Sequence, residues 1–334
     1  MKVYITGIAG FLGSHLAKHF LLKNYSVAGC DSLIGGYLDN CPEGIDFSQI
    51  DILDNKNLTD HMQRSDLIIH TAALAHEGLS VFSPKLITEN IYAGTISVAS
   101  AAIAAKVPYI INCSSMARYG NADPPFTEAT TCKPADPYGL AKLQAEEALN
   151  LLSDIHGIKV NHVVPHNIIG THQNYTDPYR NVVSIFINSL LLSNKLIIYG
   201  DGSQKRSFSP VNDCINAISR IAEGNFPNKE LFNIGPDGNE LSIKNLANKI
   251  ITLVKADNPE VIYLPDRPRE VKNAWCDSTK AKDILNYNPN TSLEYVFRDM
   301  VSWIRMRGCK PFNYKLPVEI INEKTPRTWV EKLY

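Results

Sequence analysis

The run Gly7-Ile8-Ala9-Gly10-Phe11-Leu12-Gly13 follows a strand-like stretch, Lys2-Val3-Tyr4-Ile5-Thr6, and opens a helical one. That junction restricts the fold more than any other part of the chain. A strand that turns directly into a helix needs residues without Cβ atoms where backbone passes close to backbone. The same turn aims its N–H groups, at the positive end of the helix, toward an anion. Three glycines alone also fit a plain strand-turn-helix. In this context they read as a dinucleotide turn in which Gly7, Gly10, Phe11, Leu12 and Gly13 approach a pyrophosphate. Asp31 ends the second strand, where a carboxylate accepts hydrogen bonds from the adenine ribose and repels a 2′-phosphate, so NAD is favoured over NADP. Asp51-Ile52 is a candidate adenine contact, or only a cap.

Strand patterns at 2–6, 26–30, 67–70, 108–113 and 159–165 alternate with helical patterns at 11–22, 84–105 and 138–156. Apolar strands in βαβ alternation imply an α/β fold, a doubly wound parallel sheet of Rossmann type with helices on both faces. After Asn167 the rhythm loosens into a loop at 170–180, helices near 182–193, 243–255 and 293–307, and a short strand at 196–199. We expect a cofactor domain at 1–167, with part of 206–235 returning to it, and a smaller substrate domain at 168–308. Residues 309–334 are rich in Pro, Lys and Glu, and their lack of periodicity assigns them no role.

Tyr138 and Lys142 open the third long helix, which Asp136 can N-cap and Pro137 can start. Positions i and i+4 share a helical face, so the ammonium is expected beside the phenol, favouring its ionised form. A phenol titrates near pKa ~10. With a cation and an oxidised nicotinamide beside it, it becomes a base that removes a proton from a sugar hydroxyl. Tyr-x-x-x-Lys alone also occurs on solvated helices. Here it follows a strand ending in Ser114-Ser115.

Composition excludes several classes. At 334 residues and 44% hydrophobic the chain can bury a full core, and its formal net charge of −1 leaves no electrostatic footprint for nucleic acid or an anionic membrane. A small-molecule ligand is expected. The 7 cysteines are scattered, with no Cys-x-x-Cys spacing, so they read as reduced structural thiols and no metal is expected. No stretch reaches the ~18 apolar residues of a membrane span, and the chain starts in a strand, so a cytoplasmic location is expected.

With Gly7, Gly10, Gly13, Asp31, Ala72-Ala73, Asn90, Ser115, Tyr138 and Lys142 in this order, roughly residues 1–307 resemble the extended short-chain dehydrogenase/reductase family, specifically its nucleotide-sugar epimerases and dehydratases. The resemblance implies a Rossmann domain holding NAD, with Ala72, Ala73, Asn90 and Pro165 among its contacts. It also implies a smaller nucleotide-sugar domain and a homodimer paired through the helices at 84–105 and 138–156. Ser115 resembles the residue that hydrogen-bonds the sugar 4-oxygen, Tyr138 the general base, and Lys142 the group that binds nicotinamide ribose and tunes that base. Asn167, Arg206 and Arg267 look like the grip on the diphosphate, and guanidinium forks match phosphate oxygens bidentately. Ile197 and Tyr199 look like contacts to a base, uracil in the UDP-sugar case.

Departures from the family pattern bear on the reaction. Relatives that eliminate water carry Asp-Glu after the catalytic Ser/Thr, and decarboxylating relatives carry Glu at the second position. Here Met116-Ala117 moves no protons. What remains is reversible oxidation at C4, as in a 4-epimerase acting on a UDP-hexose. A 4,6-dehydratase with rearranged acid and base, a 4-dehydrogenase, or an NAD-sensing binding protein are the alternatives. Ala274 stands where a small residue leaves room for a 2-acetamido group, implying tolerance of UDP-N-acetylhexosamines. Arg118 is expected as a paired surface group, with contact to a substrate anion as the alternative, and His166 as a hydrogen-bonded wall of the pocket.

Overall fold

The computed structural model describes residues 1–238, 240–268 and 274–334. Its centre is a seven-stranded parallel sheet. In order from one edge, the strands are Leu231–Ile234, Lys159–Pro165, Tyr109–Cys113, Leu67–His70, Lys2–Thr6, Ser26–Cys30 and Asp46–Ser48. The order reverses at the first strand, whose Val3 pairs with Val27 on one side and Leu67 on the other. Ligands of such sheets bind outside the carboxyl ends of the strands at that reversal. The Gly7 turn occupies this position.

Two apolar layers cover the sheet. On one face Val3, Ile5, Leu16, Phe20, Ile69 and Val163 pack with Ile215, Ile218, Phe232 and Leu285. On the other, Tyr4, Ala28, Ile68, Val98, Ala102, Ile110 and Val160 form the core. The first layer draws on the helices Val211–Glu223 and Thr279–Leu285, which follow the loosened rhythm after Asn167. A second core holds the helices Val182–Ser193, Ile243–Val254 and Leu293–Arg307 against the parallel pair Lys195–Tyr199 and Glu260–Leu264.

The helix Pro137–His156 begins with Asp136, whose carboxylate accepts the Gly139 N–H (2.9 Å), and ends at Gly157 with φ of 72°. Tyr138, Lys142, Glu146, Leu149 and Ser153 are buried, while Leu140, Leu151 and Ile155 are exposed on another face. The helical stretch expected over 84–105 is α at Pro84–Thr88, widens to a π turn at Glu89–Ala93 and resumes as α at Gly94–Ala104. The π turn carries Asn90, whose Oδ1 accepts the Leu74 N–H (2.7 Å). Among the described residues no helix is long and apolar enough to cross a membrane.

Candidate active site

The dinucleotide turn is built on close approach. Gly7 has φ of +71°, and a Cβ there would lie 2.8 Å from Ala72 Cα. A Cβ at Gly13 would lie 2.2 Å from the Gly7 carbonyl oxygen, so only glycine fits. Asp31 Oδ2 accepts the Ala9 N–H (3.1 Å) and Oδ1 the Leu33 N–H (2.8 Å), which fixes the carboxylate beside the turn. Burial raises the Asp31 carboxyl, and the backbone N–H groups counter it. This cradle and its neighbouring acid suit a dinucleotide with a free ribose diol.

A cavity of about 500 Å³ joins the turn to the second core. Gly7, Gly10, Phe11, Leu12, Gly13, Asp31, Asp51, Ile52, Ala72, Ala73, Asn90 and Pro165 line one stretch of it. Ser115, Tyr138 and Lys142 also line it, as do Asn167, Ile197, Tyr199, Arg206 and Arg267. Ala274 does not. It packs with Met116, Tyr119, Phe126 and Cys276, directly after residues that lie outside the described set. Met116 belongs to the same apolar cluster and also stays off the cavity wall.

At the centre, three successive residues of one strand end each engage the same helix. Lys142 Nζ donates to Cys113 O (2.8 Å), the Ser114 hydroxyl donates to Glu146, and the Ser115 hydroxyl, which accepts the Ala117 N–H (3.2 Å), lies near enough to the Tyr138 phenol to lower its pKa. Burial pushes the phenol up to about 12, while the Ser115 hydroxyl and then the Arg180 charge pull it down. Burial likewise brings Lys142 down to about 8, opposed by Glu146 and reinforced by Arg180. The ammonium expected to serve the phenol is thus directed at a backbone carbonyl, and the cation that acts most on Tyr138 is Arg180.

Arg118 is not at the surface. It is buried, with Nη2 2.9 Å from Glu146 Oε2 and its guanidinium 4.9 Å from the centre of the Tyr119 ring. An arginine in this apolar turn needs a carboxylate, and Glu146, one helical turn beyond Lys142, supplies it. His166 is buried beside Asn167 (Nε2 to Asn167 Nδ2 3.4 Å) rather than on the wall, and burial brings it down to about 4, so it stays neutral. Asn167, at φ of +39°, holds the wall position and donates to Ser207 O (3.1 Å). Arg206 Nη1 donates to Lys205 O (2.8 Å), and the Arg267 guanidinium lies over the Tyr199 ring at 5.0 Å.

The sequence reading did not single out several cavity residues. Arg180 sits in the loop before the helix Val182–Ser193, and Glu77 acts on Tyr138 with opposite sign. His76 Nε2 meets Asp177 Oδ2 at 2.7 Å, both on the cavity wall. None of these had a signal in the sequence, whereas Glu146, off the cavity wall, continues the i, i+4, i+8 stripe 138, 142, 146.

The model of the NAD dependent epimerase/dehydratase family matches residues 3–235. The chain belongs to that family. It is 31% identical over 320 residues to the UDP-glucose 4-epimerase of Mycolicibacterium smegmatis, covering 92% of this chain and 100% of that one. Among solved structures it is similar to the UDP-glucose 4-epimerase of Thermotoga maritima with UDP-glucose (TM-score 0.84, 28% identity, 92% of this chain and 99% of that one). It is also similar to a dTDP-glucose 4,6-dehydratase from Streptomyces venezuelae with NAD bound (TM-score 0.85, 27% identity, 92% and 97%).

Arg118→Leu leaves the Glu146 carboxylate buried without its paired guanidinium, at a cost of about 3 kcal/mol at neutral pH. Burial already raises this carboxyl, and Arg118 is the strongest group pulling it back. In the variant the folded state therefore holds the proton more tightly than the unfolded state, so the deficit shrinks as pH falls toward 5. Denaturant unfolding at pH 5 and pH 7 measures this; an equal loss at both would refute the pair's role.

Proposed function

We propose that the chain is a nucleotide-sugar 4-epimerase, inverting C4 of a UDP-hexose or UDP-N-acetylhexosamine through a 4-keto intermediate. The observation that carries this reading is the convergence of Ser115, Tyr138 and Lys142 with the dinucleotide turn and the Asn167, Arg206 and Arg267 side chains in one cavity. The position after Ser115 adds no acid or base, since Met116 faces an apolar cluster.

Gly7, Gly10, Gly13, Asp31 and Lys142 hold NAD, which when bound supplies the oxidising and reducing equivalents at the sugar carbon. Tyr138 takes the 4-hydroxyl proton and later returns one, and Ser115 holds the oxygen as it becomes a carbonyl. Asn167, Arg206 and Arg267 anchor the diphosphate, so the keto sugar turns about a fixed point and presents its other face. The 4,6-dehydratase reading keeps one supporting observation: Glu77 lines the same cavity and acts on Tyr138. A dehydratase accumulates a stable 4-keto product, whereas an epimerase gives only the C4 epimer.

We infer a homodimer built on the two long helices, because Tyr92, Leu140, Leu151 and Ile155 leave apolar surface exposed there. Light scattering is expected to give a dimer mass, and a monomer would end that inference.

Incubation with UDP-, dTDP-, GDP- and CDP-sugars, followed by NMR of the products, is expected to show C4 inversion of a UDP-sugar. Tyr138→Phe should lower turnover by about 10²–10⁴ while NAD stays bound. A persistent keto product, or full activity of Tyr138→Phe, would overturn the proposal. A second test concerns pH. The phenol must lose its proton to act as a base, so the rate climbs with pH through its pKa, and Arg180 lowers that pKa. Arg180→Ala should therefore move the acidic limb of kcat/KM to higher pH, with activity falling at neutral pH and recovering in alkali. An unmoved limb would remove Arg180 from the reaction.

A further inference from the structure

Residues 309–334, to which the sequence pattern assigns nothing, run from the second core to the dinucleotide side and contribute to the cavity wall. The segment leaves the helix Leu293–Arg307 tied to the second core, where Tyr175 donates to Gly308 O (3.0 Å) and Asn188 Nδ2 to Lys310 O (2.9 Å). It then reaches the dinucleotide side. There Ser83 Oγ donates to Pro317 O (2.7 Å), the Ile320 N–H donates to Phe82 O (2.8 Å), and Glu319 accepts the Lys85 and Leu86 N–H groups (3.0 and 2.9 Å). The chain next turns back. The Thr328 hydroxyl meets that of Tyr199, and the Tyr334 ring lies 5.0 Å from that of Phe312.

This path places Pro326, Trp329 and Tyr334 on the cavity wall. Trp329 is only 4% exposed, wedged edge-on against Phe82 (5.8 Å) and Tyr179 (5.4 Å). A Cβ built on Gly78 would meet Trp329 Cη2 at 3.8 Å and Arg267 Nη1 at 3.7 Å, so the indole and the guanidinium reach the same point. The guanidinium in turn covers the Tyr199 ring. An indole, two phenols and a guanidinium therefore surround one part of the cavity. Flat aromatic faces and a stacked guanidinium suit a planar, partly polar ring carried beside phosphates, which describes a nucleotide better than a free sugar.

We propose that the C-terminal segment is part of the substrate site: Trp329 and Tyr334, with Tyr199, bind the base and ribose of the nucleotide sugar, beside the Arg267 guanidinium that takes the diphosphate. The proposal rests on the functional reading above. Burial raises the Tyr334 phenol, so it stays a neutral hydrogen-bond donor across the working pH range.

The test compares wild type with Trp329→Ala, Trp329→Phe and Tyr334→Ala by kinetics on a UDP-sugar and by calorimetric titration with UDP alone. Thermal unfolding checks that each variant folds. Both alanine variants should raise KM and the Kd for UDP about ten-fold, the scale of one lost stacking contact, with the loss falling more on KM than on kcat. Trp329→Phe should restore most of it. If Trp329→Ala does not fold, Tyr334→Ala and Trp329→Phe decide the matter. Unchanged Kd with only a lower Tm would make the segment a brace and overturn the proposal, as would tighter UDP binding, which would make it a blocking flap. A wild-type chain that binds no UDP would overturn the functional reading and this inference together. Wild-type binding with unaffected variants would overturn only the inference.

Discussion

Three consecutive residues at the end of one strand fasten one stripe of one helix. Cys113 takes the Lys142 ammonium through its carbonyl, Ser114 binds Glu146, and Ser115, next in line, acts on the Tyr138 phenol. A strand end presents successive groups in different directions, and a helix presents every fourth side chain along a line, so the match fixes both the rotation and the height of the helix. The Asp136 cap sets where the helix begins, and Gly139 lets its first turn press on the Met116–Arg118 turn, since a Cβ there would lie 2.3 Å from the Ala117 oxygen. The phenol is thereby held where the dinucleotide turn and the second core meet.

The cost of this arrangement is burial of ionisable groups, and the structure balances it charge by charge. Glu146 carries a carboxylate inward, and Arg118 neutralises it from the adjoining turn. With that pair closed, Lys142 keeps a backbone carbonyl and a nearby acid while burial brings it down to about 8. The phenol meets the opposite problem, being pushed up to about 12. Ser115, Arg180 and the positive charge of an oxidised nicotinamide all act to bring it back. A base held too high by burial and lowered further by the oxidised cofactor's charge is ready to work only with that cofactor in place.

Much of this was legible from local spacing. The Gly7, Gly10 and Gly13 turn, the Asp31 strand end and the Tyr138, Lys142 pair are short-range patterns whose meaning depends on elements a few residues away. The central sheet was legible as far as Pro165 because its strands are apolar runs between helical periods. The short strand Asp46–Ser48 and the strand Leu231–Ile234 lack such contrast. Arg118 was misplaced because a charged residue in an isolated turn reads as solvated; its partner lies 28 positions away on a helix. Arg180, Glu77 and the His76–Asp177 pair come from loops, where no periodicity says which way a side chain faces. Residues 309–334 were opaque for a similar reason. Their contacts are single hydrogen bonds and aromatic edges to distant partners, with no regular element of their own beyond Arg327–Val330.

Inversion at C4 sets opposing demands on the two ends of the cavity. On the proposed reading the sugar must turn over, so the cavity needs room, and Ala72, Ala73 and Ala75 are small residues of its wall. The nucleotide must not move, or the keto sugar escapes before its second face is presented. Arginines alone fix phosphates but allow the base to swing, because a diphosphate is a flexible joint. A rigid wall around the base removes that freedom. The segment 309–334 is held at its start by the second core, at Ser83 and Glu319 by the dinucleotide side, and at Thr328 by Tyr199. Such ties join the segment to both cores and to the cavity wall, and on the proposed reading they would hold the nucleotide end while the sugar turns.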